Sequence, residues 1–104
     1  LRHAVRGLRR VLGRAEARGV TINVEILNSR VDHPGYVADT VGWGLALAEA
    51  IASPRVKILF DLYHVQIMEG DVIRRFREAA PFVGHVHTAG NPGRKGLDEG
   101  EMHY

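Results

Sequence analysis

No cysteine occurs among the 104 residues, which excludes disulfide frameworks, thiolate metal sites and cysteine nucleophiles and fits a reducing compartment. No run approaches the roughly 20 apolar residues that a membrane-spanning helix needs, and no basic, apolar, small-residue signal segment opens the sequence. The expectation from these absences is a cytoplasmic protein with no membrane partner. Charge of one sign is not in large excess either: 14 Lys and Arg against 12 Asp and Glu leave a formal charge of +2. An initiating methionine is also missing. Leu1 stands first with a helical pattern already running, so the sequence reads as a fragment entered partway along a longer chain.

What is present is the composition of an ordinary globular domain, 45% apolar and 25% charged, enough for one folding unit at most. A chain this short buries a smaller share of its surface than a full-sized domain, so an architecture of many elements is incomplete here. The most conspicuous charge cluster is Arg2, Arg6, Arg9, Arg10, Arg14 and Arg18. In isolation it suggests a nucleic-acid footprint. Leu1, Val5, Leu8, Leu12 and Ala15 recur at helical intervals through the same segment, however, and the arginines are then the solvated faces of an amphipathic helix. No nucleic-acid partner is expected.

Gly19 is a suitable left-handed end for that helix, and Val20 to Ile26 follows as a β-branched strand. Asn28 to Gly35 mixes Asn, Ser, Asp, His, Pro and Gly and reads as a loop. Val37, Val41, Leu45, Ala48 and Ile51 give a second helical stripe, ended by Ser53-Pro54. Val56 to Asp61 is a short apolar run of strand length, followed by a polar connection through His64 and Gly70. A third helix is expected from Asp71 to Ala80, with Val72, Ile73 and Phe76 facing inward and Pro81 breaking it. Phe82 to His87 is the next strand, and Gly90 to Tyr104 a long Gly- and charge-rich loop, functional or disordered. This alternation has the spacing of βα units and predicts an α/β fold with parallel strands, whose C-terminal ends lie along one rim.

Each expected strand ends, or nearly ends, in a potential metal ligand: Glu25, Asp61 and His87. Neighbouring strands lie about 4.8 Å apart, so groups at matching heights can reach one ion. Two carboxylates and an imidazole suit Mg²⁺ or Mn²⁺, with Zn²⁺ or Co²⁺ also compatible. Such an ion stabilises an enediolate while a carboxylate moves the proton, which is isomerase chemistry. Singly, each of the three has a plainer reading, as a helix cap, a loop anchor or a histidine at the sheet rim. His85 shares a face with His87 and supports it or fills the interior. Glu101 follows His87 too soon for an intervening helix and strand and is left out of the ligand set.

The stretches Val24-Glu25-Ile26-Leu27-Asn28, Phe60-Asp61-Leu62-Tyr63-His64 with Gln66 to Asp71, Gly84-His85-Val86-His87, Ala89 to Arg94 and Gly100 to Tyr104 resemble the hydroxypyruvate isomerase group of the xylose-isomerase-like TIM barrels. The resemblance covers nearly the whole chain. It implies that these residues are a central-to-C-terminal part, about three βα units, of a (β/α)₈ barrel. It also implies a divalent metal held by Glu25, Asp61, His87 and a further Glu beyond Tyr104. Glu25 would double as an acid/base carboxylate, and His64 and Arg94 would face the oxygens of a small sugar or hydroxy-keto acid. Two positions depart from the pattern: the group often carries Gln at the place of His87, where ketose epimerases carry His, and those epimerases have Glu where this chain has Val31. Ketose 3-epimerase, inositol-pathway isomerase, endonuclease-type DNA repair protein and inactive scaffold fragment therefore stand as alternatives. The DNA-repair reading would need several more His ligands and a basic groove. The sequence leaves the oligomeric state open.

Overall fold

The apolar residues of each strand gather mainly on one face, and that asymmetry fixes the architecture. In chain order the elements are α1 (Arg2–Arg18), β1 (Ile22–Glu25), α2 (Val41–Ile51), β2 (Val56–Asp61), α3 (Leu62–Met68), α4 (Val72–Ala79), a 3₁₀ turn (Ala80–Phe82) and β3 (Val83–His87); the computed structural model describes residues 1–104. The strands form one open parallel sheet in the order β1-β2-β3. No helix is long and apolar enough to cross a membrane.

All helical packing is on one sheet face. Ile22, Val24 and Val56 meet Leu47 and Ile51 of α2 and Val5, Leu8 and Leu12 of α1. Phe60 and Val83 meet Val41, Val65, Phe76 and Ala79, with the Phe60 and Phe76 rings edge to face at 5.2 Å. The six arginines of α1 are all exposed, as an amphipathic helix requires. Leu1 is exposed rather than continuing the inner stripe. By strand alternation the other sheet face carries Asn23, Glu25, Lys57, Leu59, Asp61, His85 and His87.

One irregularity puts the two histidines there. Ile58 pairs with Val83, but Leu59 pairs with His85, so Gly84 is an extra residue in β3. Val83 packs in the helix-side core; in a regular strand His85 and His87, two and four residues on, would face the same way. The bulge reverses them and sets His87 opposite Asp61. Only glycine fits at this point: a Cβ on Gly84 would lie 2.2 Å from Asn23 Oδ1 and 2.7 Å from Lys57 Cβ.

Three expectations are corrected. The connection after Asp61 is helix α3, built because the Asp61 carboxylate accepts from the N–H groups of Tyr63 and His64 and so caps it. Helix α2 starts at Val41 rather than Val37, where Thr40 caps the first turn and Val37 is left exposed. Ile73 is 71% exposed, because α4 turns Val72 and Phe76 to the core instead. Asp71 does precede α4, in a left-handed conformation, but its side chain makes no capping bond.

Candidate active site

β1, β2 and β3 end along one rim, and their terminal side chains converge above it. Asp61 and His87 are direct register partners. Glu25 pairs with Leu59, two residues below Asp61, and its longer side chain covers the offset. His87 Nδ1 lies 3.3 Å from Glu25 Oε1 and 3.8 Å from Asp61 Oδ2. Asp61 is divided in its duties: Oδ1 caps α3 at 2.8 Å from Tyr63 N, while Oδ2 faces the cluster.

The cap carries His64 to the same place. Its Nε2 is 3.8 Å from Asp61 Oδ2, and ligand atoms of Glu25, Asp61 and His64 all fall within 4.8 Å of one another. His64 is 1% exposed. Burial pushes its pKa down, against an upward pull from Asp61, with Arg94 adding to the fall. Neither Glu25 nor Asp61 pairs with a lysine or arginine; imidazoles are their only salt-bridge partners. Two converging carboxylates without a side-chain cation are the donor chemistry that a hard divalent ion satisfies. The two carboxylates with the imidazoles beside them make a donor set that fits such an ion.

Arg94 reaches the site from the loop after β3. Its Nη2 is 2.9 Å from His64 Nε2, and its guanidinium stacks over the Tyr63 ring with 5.0 Å to the centroid. No carboxylate forms a salt bridge with it. The loop that carries it is folded on itself: Gly90 and Lys95 exchange backbone hydrogen bonds of 2.8 and 3.0 Å. Glu101 accepts from Asn91 Nδ2 at 2.7 Å and Gln66 Nε2 at 3.1 Å. That carboxylate is thus engaged in closing the loop, in keeping with its omission from the ligand set. His85 stands edge-on to His87 on the open sheet face, ring centroids 5.1 Å apart.

Asn28, Asp32 and Tyr63 were not singled out from the sequence, yet they form the wall behind His64. Asn28 is fully buried and donates from Nδ2 to Asp32 Oδ2 at 2.6 Å; Tyr63 donates to the same oxygen at 2.9 Å. An Asn four residues before an Asp inside a turn-rich loop was the available signal. The bonds from Asn28 and Tyr63 hold the Asp32 pKa below the usual carboxylate range. A depressed carboxylate pKa stabilises the fold above the unfolded value of about 3.9, and that contribution is lost as pH falls through the folded value. Asp32→Asn should therefore lower the denaturant midpoint at neutral pH, by an amount that shrinks as pH falls below about 3.9; no gap at neutral pH would show the Asp32 bonds to be irrelevant to stability.

The family model of the xylose isomerase-like TIM barrel matches residues 1–103. The chain belongs to that family. A 2-oxo-tetronate isomerase of Cupriavidus necator is 39% identical over 90 residues, covering 86% of this chain and 34% of the relative. A human protein named "Putative hydroxypyruvate isomerase" is 37% identical over 71 residues, 68% of this chain and 26% of that protein. Among solved structures, one described as an AP endonuclease, family 2, from Brucella melitensis superposes with a TM-score of 0.90 at 34% identity, over 96% of this chain and 38% of that one. A D-psicose 3-epimerase crystallised in the presence of D-fructose gives 0.82 at 28% identity, over 94% and 32%. The chain thus spans about a third of the length of these proteins. Its open three-stranded parallel sheet, which the βα spacing predicts, is a partial TIM barrel, which the resemblance implies.

Proposed function

We propose that residues 1–104 are a central-to-C-terminal part of an eight-stranded barrel that isomerises a small hydroxy-keto acid with a divalent metal, most specifically hydroxypyruvate to tartronate semialdehyde. The observation that carries this reading is the convergence of Glu25, Asp61 and His87 on one point, with the His64 and Arg94 nitrogens beside it. In the proposed reaction a proton leaves C3 of hydroxypyruvate as its C2 carbonyl becomes an enediolate; C2 is then reprotonated, while the hydroxyl proton on O3 passes to O2, so that C3 becomes the aldehyde and C2 carries the hydroxyl. Glu25 takes the C3 proton. A bound divalent ion, Mg²⁺ or Mn²⁺ by preference, supplies Lewis-acid stabilisation of the enediolate charge. His64 and Arg94 hold substrate oxygens in place, which fixes the reacting carbons against Glu25. The fourth metal ligand and the second acid/base carboxylate would come from beyond Tyr104, so these residues alone are inactive.

Arg94 favours an acid over a neutral sugar. It stands at the site as a guanidinium without a carboxylate partner, and a planar fork of this kind binds a carboxylate in two places. The likeness to a 2-oxo-tetronate isomerase points the same way and brings in the four-carbon homologue as a further substrate. A ketose 3-epimerase is the second reading, favoured by His87 and by the D-psicose 3-epimerase match. Against it, Val31, where those enzymes carry Glu, is exposed and offers no second base.

Deuterium uptake from D₂O decides between them. The whole protein with Mn²⁺ should label hydroxypyruvate at C3, lose the activity to a chelator and leave D-fructose and D-psicose unlabelled. Labelling of the ketoses alone would establish the epimerase, and no labelling of either, together with binding of abasic DNA, would overturn both.

A further inference from the structure

We infer that Asn28 is a positioning residue: it holds His64 in the tautomer with its proton on Nε2, which keeps His64 out of the metal's ligand set and turns it into a fixed donor to substrate. The inference deepens the proposed function and rests on it for the substrate, but the tautomer itself follows from the hydrogen bonds alone.

The orientation of the Asn28 amide is determined by its neighbours. Its Oδ1 accepts from the backbone N–H of Val31 at 3.0 Å and of Asp32 at 2.9 Å. The Nδ2 group then faces Asp32 Oδ2 at 2.6 Å and His64 Nδ1 at 2.7 Å. Rotating the amide by half a turn would set its oxygen against a carboxylate and its NH₂ against two N–H donors, three mismatches in a residue with no access to water. The backbone N–H of Asn28 points at the same His64 nitrogen, 3.1 Å away. Two donors on Nδ1 require a lone pair there. In a neutral imidazole the proton is then on Nε2.

Two consequences follow at Nε2. A protonated ring nitrogen has no lone pair for a cation, and the other nitrogen is occupied by Asn28, so neither can ligate. His64 therefore differs from His87, although both lie beside Asp61 Oδ2 at the same 3.8 Å. Moreover, Arg94 Nη2 lies 2.9 Å from Nε2, and arginine cannot accept a hydrogen bond. The pair is donor against donor. Each hydrogen needs an oxygen from elsewhere, and the two converge on one position next to the carboxylates. An oxygen with two free lone pairs, such as a carboxylate oxygen or the oxygen that becomes negative in an enediolate, satisfies both.

The test is the ¹⁵N spectrum of the His64 ring in the whole protein, without metal or substrate, followed through its carbon-bound protons. Wild type should show a proton on Nε2 and a bare Nδ1. In Asn28→Asp the donor facing Nδ1 becomes a carboxylate, and a proton should appear on Nδ1; Asn28→Ala, should the first variant not fold, is expected to show a mixture of tautomers. Calorimetry with MnCl₂ gives an independent reading. His64→Asn should keep its Mn²⁺ affinity, whereas loss of a ligand or its support costs about 10- to 100-fold or more. A bare Nε2 in wild type, an unchanged Nε2 proton in every Asn28 variant, or loss of Mn²⁺ binding in His64→Asn would each overturn the inference. The spectra need no turnover, so failure of the isomerase assay would leave them standing, and a wrong tautomer would leave the isomerase reading untouched.

Discussion

Glu25→Gln in the whole protein should reduce proton exchange at the substrate carbon by about 10²- to 10⁴-fold, the usual contribution of a positioned general base. The amide is nearly the same size, so packing at the rim is kept; what goes is the capacity to accept a proton. The effect has two separable sources. Glu25 is also one of the two carboxylates beside His87, with Oε1 at 3.3 Å from Nδ1, and the substitution weakens metal binding as well. Measuring solvent deuterium uptake at saturating Mn²⁺ isolates the proton-transfer part. Exchange that survives unchanged under saturation would remove Glu25 from the role of base, even if metal affinity had fallen.

Gly84→Ala should cost about 1–3 kcal/mol of stability, the range for forcing extra volume into a packed site, and should reduce Mn²⁺ affinity about 10- to 100-fold. The glycine is needed here for space and not for a special backbone angle. Its added Cβ would overlap Asn23 Oδ1 and the Cβ of Lys57, and Lys57 Cβ is held by its own strand. Relief requires β3 to move away from β2 or to give up the bulge. Abandoning the bulge restores regular alternation, under which His87 turns from Asp61 toward the helices. Thermal unfolding and calorimetry read the two effects separately. A variant as stable as wild type with full Mn²⁺ affinity would show that the extra residue in β3 does not determine where His87 points.

Much of the path to the site can be read in the sequence because it rests on local rules. The apolar run Val56 to Asp61 coincides with β2, and the left-handed end at Gly19 is where α1 stops. Ligand-type residues at three strand ends were legible because parallel βα units bring those ends to one rim. Helix α3 was not, since seven residues make barely two turns and show no periodicity to speak of. The residue that starts it, Asp61, had already been given another task. The bulge was signalled only by a glycine inside a strand, which also fits a plain weak point.

Residue types and spacing thus determined, without coordinates, a parallel α/β sheet with Glu25, Asp61 and His87 near its C-terminal rim, because strand alternation and helix periodicity act over a few residues. Tertiary structure alone decided which way those groups face and which atoms meet. The Gly84 bulge depends on β2 lying alongside, the capped turn of α3 brings His64 beneath Arg94, and Asn28 reaches its imidazole across 36 positions of the chain. Contacts of that kind depend on close packing between distant segments, and no local pattern carries them.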